Sequence, residues 1–526
     1  MKKKKEKEKI VVEDFTEHAE VLTCLEKLNN TFNINGNHNG RDFIISDVLD
    51  KDGNQYVNLV QKGGGVLGVA LVGYTYILEK MNIRFIRLAG TSAGAINTAL
   101  MTVTGAKPDK DNLAKIKGNK KIAKSESILE AICNLNFFDL VDGHPAARLI
   151  IKNFITDNDF STIIKKWITG IIITLIALPA LDFIFLGLQH QFVWASYLTK
   201  TFFVLTGFFV MLLIILISYI IFLITRLKDA GFGINPGDFF YDWIKQHLLS
   251  NNVKTVTDLK NVASTPVDDL FLRVESPEGL NELNGDVTFI ASEIVSKNKI
   301  EFPKMSELFR KNIDDLQPAG FVRASMAIPL FFESYFINEI PCTDTGIRNS
   351  WEKLVGETNP PSTARFVDGG VLSNFPMNIF YNPKVDVPRL PSFGIDLDDE
   401  KDPATVSGDK LQTGNDKTQT NDEGNDAEQW SLTGYIYRIF NTVRFYYDKD
   451  FLIKNMFFRK GIGTIPMKGY NWLNFFLDKK SKQEMFVLGA KAATEFLLNF
   501  NWEDYKAARK DMQDKLTTNQ SSKTGS

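Results

Sequence analysis

The sequence predicts an α/β fold: a mostly parallel sheet covered by helices on both faces, with a two-helix transmembrane hairpin inserted. Three observations carry that prediction. From residue 56 onward, apolar runs of strand length alternate with helix-length runs across glycine-rich turns. Residues 168–188 and 201–225 are apolar runs of 21 and 25 residues, each long enough to cross hydrocarbon as a helix. A chain of 526 residues can also hold one large core together with insertions and tails.

Residues 1–54 are polar, with a short helix expected near 17–28 and an Asn/Gly-rich loop at 33–40, and are read as an extension. A catalytic-size region then spans 55–500. It opens with a strand at 56–60, a glycine turn at 63–68, a helix at 69–81, a strand at 83–89, a turn at 90–94 and a helix at 95–103. Alternation of this kind favours parallel strands buried on both sides. The hairpin occupies 167–226. Lys165 and Lys166 precede its first span and Arg226 and Lys228 follow its second, while the connection carries only Lys200, so both outer ends are expected to face the cytoplasm. Asp182 lies near the far end of its span and is expected at the interface. Beyond the hairpin come an amphipathic helix within 231–249 and a strand at 287–295. Residues 396–429, rich in Asp, Asn, Thr, Gly and Lys, are expected to be a disordered loop. Residues 430–458 are crowded with Tyr and Phe at near-helical spacing, and 501–526 read as a polar tail.

Composition narrows the function. With 61 basic and 63 acidic residues the net charge is −2, which provides no general field for nucleic acid. Cys24, Cys133 and Cys342 are far apart and lack zinc or redox spacing, so they are expected to be reduced thiols. No metal-ligand cluster stands out, and neither metal nor cofactor is expected. The first residues are Lys and Glu with no signal-peptide apolar core, so the start of the chain is expected in the cytoplasm.

The chemistry lies in three glycine-rich places. Gly90, Thr91, Ser92, Ala93 and Gly94 join a strand to a helix, which is the context a G-x-S-x-G nucleophile elbow requires. Glycine at both ends allows a turn too tight for a Cβ, which lifts the serine hydroxyl over the strand end. One strand earlier, Gly63, Gly64 and Gly65 leave a run of unshielded N–H groups that can form an oxyanion hole, each donor contributing about 3–4 kcal/mol in the transition state. Gly63, Gly65 and Gly68 also satisfy a dinucleotide G-x-G-x-x-G, but the acidic ribose partner is missing from its usual strand end. A serine needs a base. None of the five histidines, His18, His38, His144, His190 and His247, lies in the second half of the chain, which makes a Ser-acid-His triad improbable. The second half does deliver Asp368 from an apolar strand into the Gly369, Gly370 turn, and a carboxylate there can take the serine proton if partial burial raises its basicity.

Together these elements resemble the patatin-like phospholipase family. The likeness extends to residues 231–243 (GFGINPGDFFYDW), to 323–329 (RASMAIP), and to 461–466 and 486–496 near the end. By that resemblance Ser92 is the nucleophile, Asp368 the base of a catalytic dyad, and the Gly63, Gly64 and Gly65 amides the oxyanion hole. One departure is Leu67, where the family often has Arg or Lys, and it bears on head-group preference. The resemblance implies a hydrolase of phospholipid or other acyl-ester lipids, and the hairpin adds the expectation of membrane anchoring, with the bilayer as partner. Two alternatives stay open: an acyltransferase using the same dyad, and a non-catalytic lipid-binding scaffold.

Overall fold

In a computed structural model the described residues are 10–34, 40–105, 123–144, 160–229, 231–275, 279–280, 283–398 and 432–524. They divide into two compact units, one of residues 1–140, 237–328 and 334–526, the other of 141–236 and 329–333.

The larger unit is built on one sheet. In chain order its strands are β1 (Val48–Leu49), β2 (Gln55–Gln61), β3 (Ile83–Thr91), β5 (Phe271–Leu272), β6 (Asp286–Glu293), β7 (Asn298–Phe302), β9 (Tyr335–Ile337), β10 (Ala364–Asp368), β11 (Ser392–Asp398) and β12 (Ile462–Pro466); β4 (Gly233–Asn235) and β8 (Leu330–Phe332) belong to the smaller unit. The main path runs β12-β11-β2-β3-β6-β10-β9. The five strands from β12 to β6 pair in parallel, as the βα alternation predicts. At β6 the pattern changes, and β10, β9 and β7 are antiparallel to their neighbours. All seven residues of β2 are buried, consistent with a central strand covered on both faces.

Helices Gly68–Lys80 and Ala93–Val103 follow β2 and β3 and are almost wholly buried. Helix Lys479–Asn499 crosses Gly68–Lys80 backbone to backbone: a Cβ on Gly73 would lie 2.1 Å from the Phe486 carbonyl oxygen, and one on Gly489 would lie 1.9 Å from that of Ala70. Helix Ala19–Thr31 of the polar N-terminal region buries Val21, Cys24 and Leu28, and Phe15 packs edge-on against Phe486 at 5.7 Å. Residues 502–524, read from composition as a tail, form a helix that buries Trp502, Tyr505 and Arg509 in its first turns. Window composition misses this because only those positions face inward. In the stretch 396–429, residues 396–398 end β11, and the rest of the expected disordered loop lies outside the described residues.

In the smaller unit, β4 and β8 form a two-stranded parallel sheet tied by the buried Asn235, whose side chain donates to the Phe331 carbonyl at 2.8 Å. Its two long helices, Phe160–Leu188 and Val193–Asp229, contain stretches long and apolar enough to cross a membrane, Lys166–Leu188 and Val193–Phe222. Between them Phe185 stacks on Phe202 at 5.3 Å, and the Thr206 hydroxyl donates to the Asp182 carboxylate at 2.7 Å. That bond lowers the cost of an acid within an apolar helix.

Candidate active site

The elbow forms where β3 ends. Ser92 has φ 52° and ψ −119°, a conformation that side-chain-bearing residues rarely adopt, and helix Ala93–Val103 begins immediately after it. The flanking glycines are required by contact: a Cβ on Gly90 would meet the Gly94 carbonyl oxygen at 2.3 Å, and one on Gly94 would meet that of Gln61 at 2.2 Å. The Ser92 amide donates to the Ser325 hydroxyl at 2.9 Å, so the RASMAIP segment braces the elbow from behind. Under the turn, Asn97 donates to Gln61 at 2.6 Å and Gln61 donates to the Thr98 hydroxyl at 3.0 Å.

Asp368 arrives from β10. Strand β6 separates β3 from β10, with Thr91 opposite Ile290 and Asp368 opposite Ala291, which sets serine and aspartate at the same height. The Ser92 hydroxyl lies close enough to the Asp368 carboxyl to act on its acidity, and both residues are buried. The Gly370 amide donates to Asp368 Oδ1 at 2.7 Å. Burial pushes the carboxyl above the usual Asp range; the Ser92 hydroxyl, the Arg444 charge and the Gly370 amide oppose that shift. A carboxylate made more basic by its surroundings is suited to accept a proton.

The glycine loop after β2 completes the site. A Cβ on Gly63 would lie 3.0 Å from Ser92 Cβ and 2.4 Å from Asn374 Oδ1, so glycine is what allows this loop so close to the serine. The Gly63 amide donates to the Asn374 carbonyl at 3.0 Å, and the Asn374 side chain returns a bond to the Gly63 carbonyl at 3.2 Å. Among the described residues no acceptor is paired with the Gly64 or Gly65 amide. A narrow apolar cavity of about 60 Å³ runs from Gly65 and Ala93 between Val69, Val72, Ile96 and Leu100.

Sequence reasoning did not single out Asn374, Ser325, Arg444 or Asp448. Ser325 lies within the quoted segment RASMAIP and Asn374 six residues after Asp368, but nothing in spacing alone assigns them partners. Arg444 and Asp448 lie on helix Leu432–Lys454, four residues apart and therefore on one face. Arg444 Nε donates to the Gly370 carbonyl at 2.8 Å. Asp448 accepts from the Ser373 hydroxyl and the Asn374 amide at 2.7 Å each and from the Phe375 amide at 2.8 Å.

Residues 59–381 match the family model of patatin-like phospholipases. The uncharacterized protein YqhO of Bacillus subtilis (strain 168) is 24% identical over 342 residues, covering 65% of this chain and 71% of its own. Among solved structures, VipD from Legionella pneumophila aligns at 12% identity over 88% of this chain and 72% of that one, with a TM-score of 0.30.

Proposed function

This chain belongs to the patatin-like phospholipase family, and from that premise we propose that it is a membrane-anchored lipid acyl hydrolase working through Ser92 and Asp368. Lipid acyl hydrolysis in general is the activity the family supports. The dyad and the anchoring are the specific reading, and the placement of the Ser92 elbow and a buried Asp368 at adjacent rungs of β6 carries the dyad.

In this reading Asp368 takes the Ser92 proton as Oγ bonds to the ester carbonyl carbon. The carbonyl electron pair moves onto oxygen, where the Gly64 and Gly65 amides and the N-terminus of helix Ala93–Val103 face the developing charge. Gly63, its amide already engaged by Asn374, acts as the spacer that admits the loop. Collapse breaks the bond to the alcohol oxygen, which leaves with the proton held by Asp368. Water, deprotonated by Asp368, then attacks the acyl-enzyme, and Ser92 departs with that proton while the fatty acid leaves. The slot between Val69, Val72, Ile96 and Leu100 suits an extended alkyl chain.

The proposed organisation is a polar extension over 1–54, a catalytic region over 55–500, the hairpin over 167–226 and a C-terminal segment over 501–526. Ser92 precedes both candidate spans and Asp368 follows them, so their meeting requires an even number of crossings. Two crossings with cytoplasmic Lys and Arg put the dyad on the cytoplasmic side. The test is fluorophosphonate labelling of detergent-solubilised protein together with fatty acid release from phospholipid vesicles. Wild type is expected to label and turn over; Ser92→Ala is expected to do neither, and Asp368→Asn to lose turnover. Labelling that persists in Ser92→Ala would overturn the assignment.

A further inference from the structure

From residue 439 onward, helix Leu432–Lys454 exposes a row of apolar side chains, with exposed Lys449 and Lys454 beside it, and turns Arg444, Asp448, Phe451 and Leu452 toward the protein. Ile439, Val443, Tyr446 and Ile453 recur at i, i+4, i+7 and i+14, one face of a helix, and Val443, Tyr446 and Ile453 are 70%, 66% and 62% exposed. On the opposite side Arg444 and Asp448 grip the Asp368 loop through the four hydrogen bonds described above, and Phe451 packs against Tyr381 at 5.7 Å. The solvent side of an ordinary surface helix is polar, and this apolar row departs from that. Beside that row stand the exposed Lys449 and Lys454, the latter paired with Asp450 at 2.6 Å, which leaves Lys449, among the described residues, as an uncompensated positive charge on the helix. At its flank, Lys299 of β7 stands 5.1 Å from the Tyr447 ring, and the β6–β7 turn adds exposed Ile294 and Val295.

We propose that this outward face docks on the phospholipid surface while Arg444 and Asp448, on the inward face, are positioning residues for the loop that carries Asp368. This deepens the dyad-hydrolase reading and rests on it. Aliphatic and tyrosine side chains beside a net positive charge fit a bilayer with anionic head groups. The substrate of a lipid acyl hydrolase is presented on such a surface. Because one helix serves both contacts, the surface that supplies substrate also bears on the geometry of the base. Arg444 holds the Gly370 carbonyl and puts a positive charge near Asp368, whose ionised form is the one that accepts the proton.

The experiment uses the full chain and two substrates, a soluble monomeric short-chain ester and vesicles of phosphatidylcholine with phosphatidylglycerol. For Val443→Ser/Tyr446→Ser/Ile453→Ser, the ratio of vesicle turnover to monomeric-ester turnover is expected to fall about tenfold or more. Arg444→Met should lower kcat on both substrates about equally, leave KM for the ester in place, and move the acidic limb of the pH profile upward; Arg444→Lys should move the limb part of the way back. An unchanged ratio in the triple variant overturns the docking face. If size-exclusion chromatography of that variant shows a changed oligomeric state with an unchanged ratio, the face belongs to a second copy of the chain. A pH limb that stays in place in Arg444→Met overturns its positioning role. Wild type inactive on both substrates would instead overturn the hydrolase reading itself, which separates the two failures.

Discussion

Ser92 is held in a backbone conformation that costs of order 1–3 kcal/mol, and its neighbours maintain it: Gly90 and Gly94 by the absence of a Cβ, Ser325 by accepting its amide. Asp368 is the second costly residue, because burial disfavours its charge. With a folded pKa above the unfolded one, stability is greatest at low pH and declines as pH rises through the folded value. The ionised group therefore works against the fold at neutral pH. Asp368→Asn is expected to raise the melting temperature at pH 7 while lowering kcat about 10²–10⁴-fold, measured by thermal unfolding in detergent and by ester turnover. For wild type, the acidic limb of the kcat/KM profile should lie above the ordinary Asp value of 3.8, since activity disappears as Asp368 is protonated. Ser92 and Asp368 were legible as candidates because each sits in a short glycine motif whose backbone requirement appears in adjacent letters. Asp448, 80 positions after Asp368, was not, because an aspartate in an aromatic-rich helix looks like a solvated charge until its three partners are known.

Among the elements, the most constrained contact is the crossing of helices Gly68–Lys80 and Lys479–Asn499, where Gly73 and Gly489 bring backbones together. Gly73→Val is expected to cost about 1–3 kcal/mol or more, as overpacking at a site with no side chain to move, and to lower the melting temperature in differential scanning fluorimetry. The same helix Gly68–Lys80 starts at the glycine loop proposed as the oxyanion hole, so a loss of activity exceeding the loss of folded protein would place strain from this crossing at Gly64 and Gly65. The strands and helices from β2 to Ala93–Val103 were readable within one or two residues, because apolar runs and glycine turns are local signals. The C-terminal helix was not: its buried Trp502, Tyr505 and Arg509 are few among polar neighbours, and they find their partners in aromatic residues 457 and 458 and in the loop near 381.

At the scale of the whole molecule, the chain places a hydrolase-type sheet and two membrane-length helices in one polypeptide. If both helices span, the protein stays in the membrane pellet through alkaline carbonate extraction, and in sealed inside-out vesicles protease cleaves tags at both termini. Protection of either tag would exclude two crossings with a cytoplasmic dyad. The sequence by itself determined the α/β alternation, the family and the two apolar stretches of membrane-spanning length. All of these are carried by short segments whose composition or backbone demand is self-contained. Only the tertiary structure decided that the sheet turns antiparallel beyond β6, that Asn374 stitches the glycine loop to the Asp368 loop, and that helix Leu432–Lys454 clamps that loop with Arg444 and Asp448. Those facts depend on which distant segments pack together, and packing is settled by the burial and hydrogen bonding of the whole chain at once.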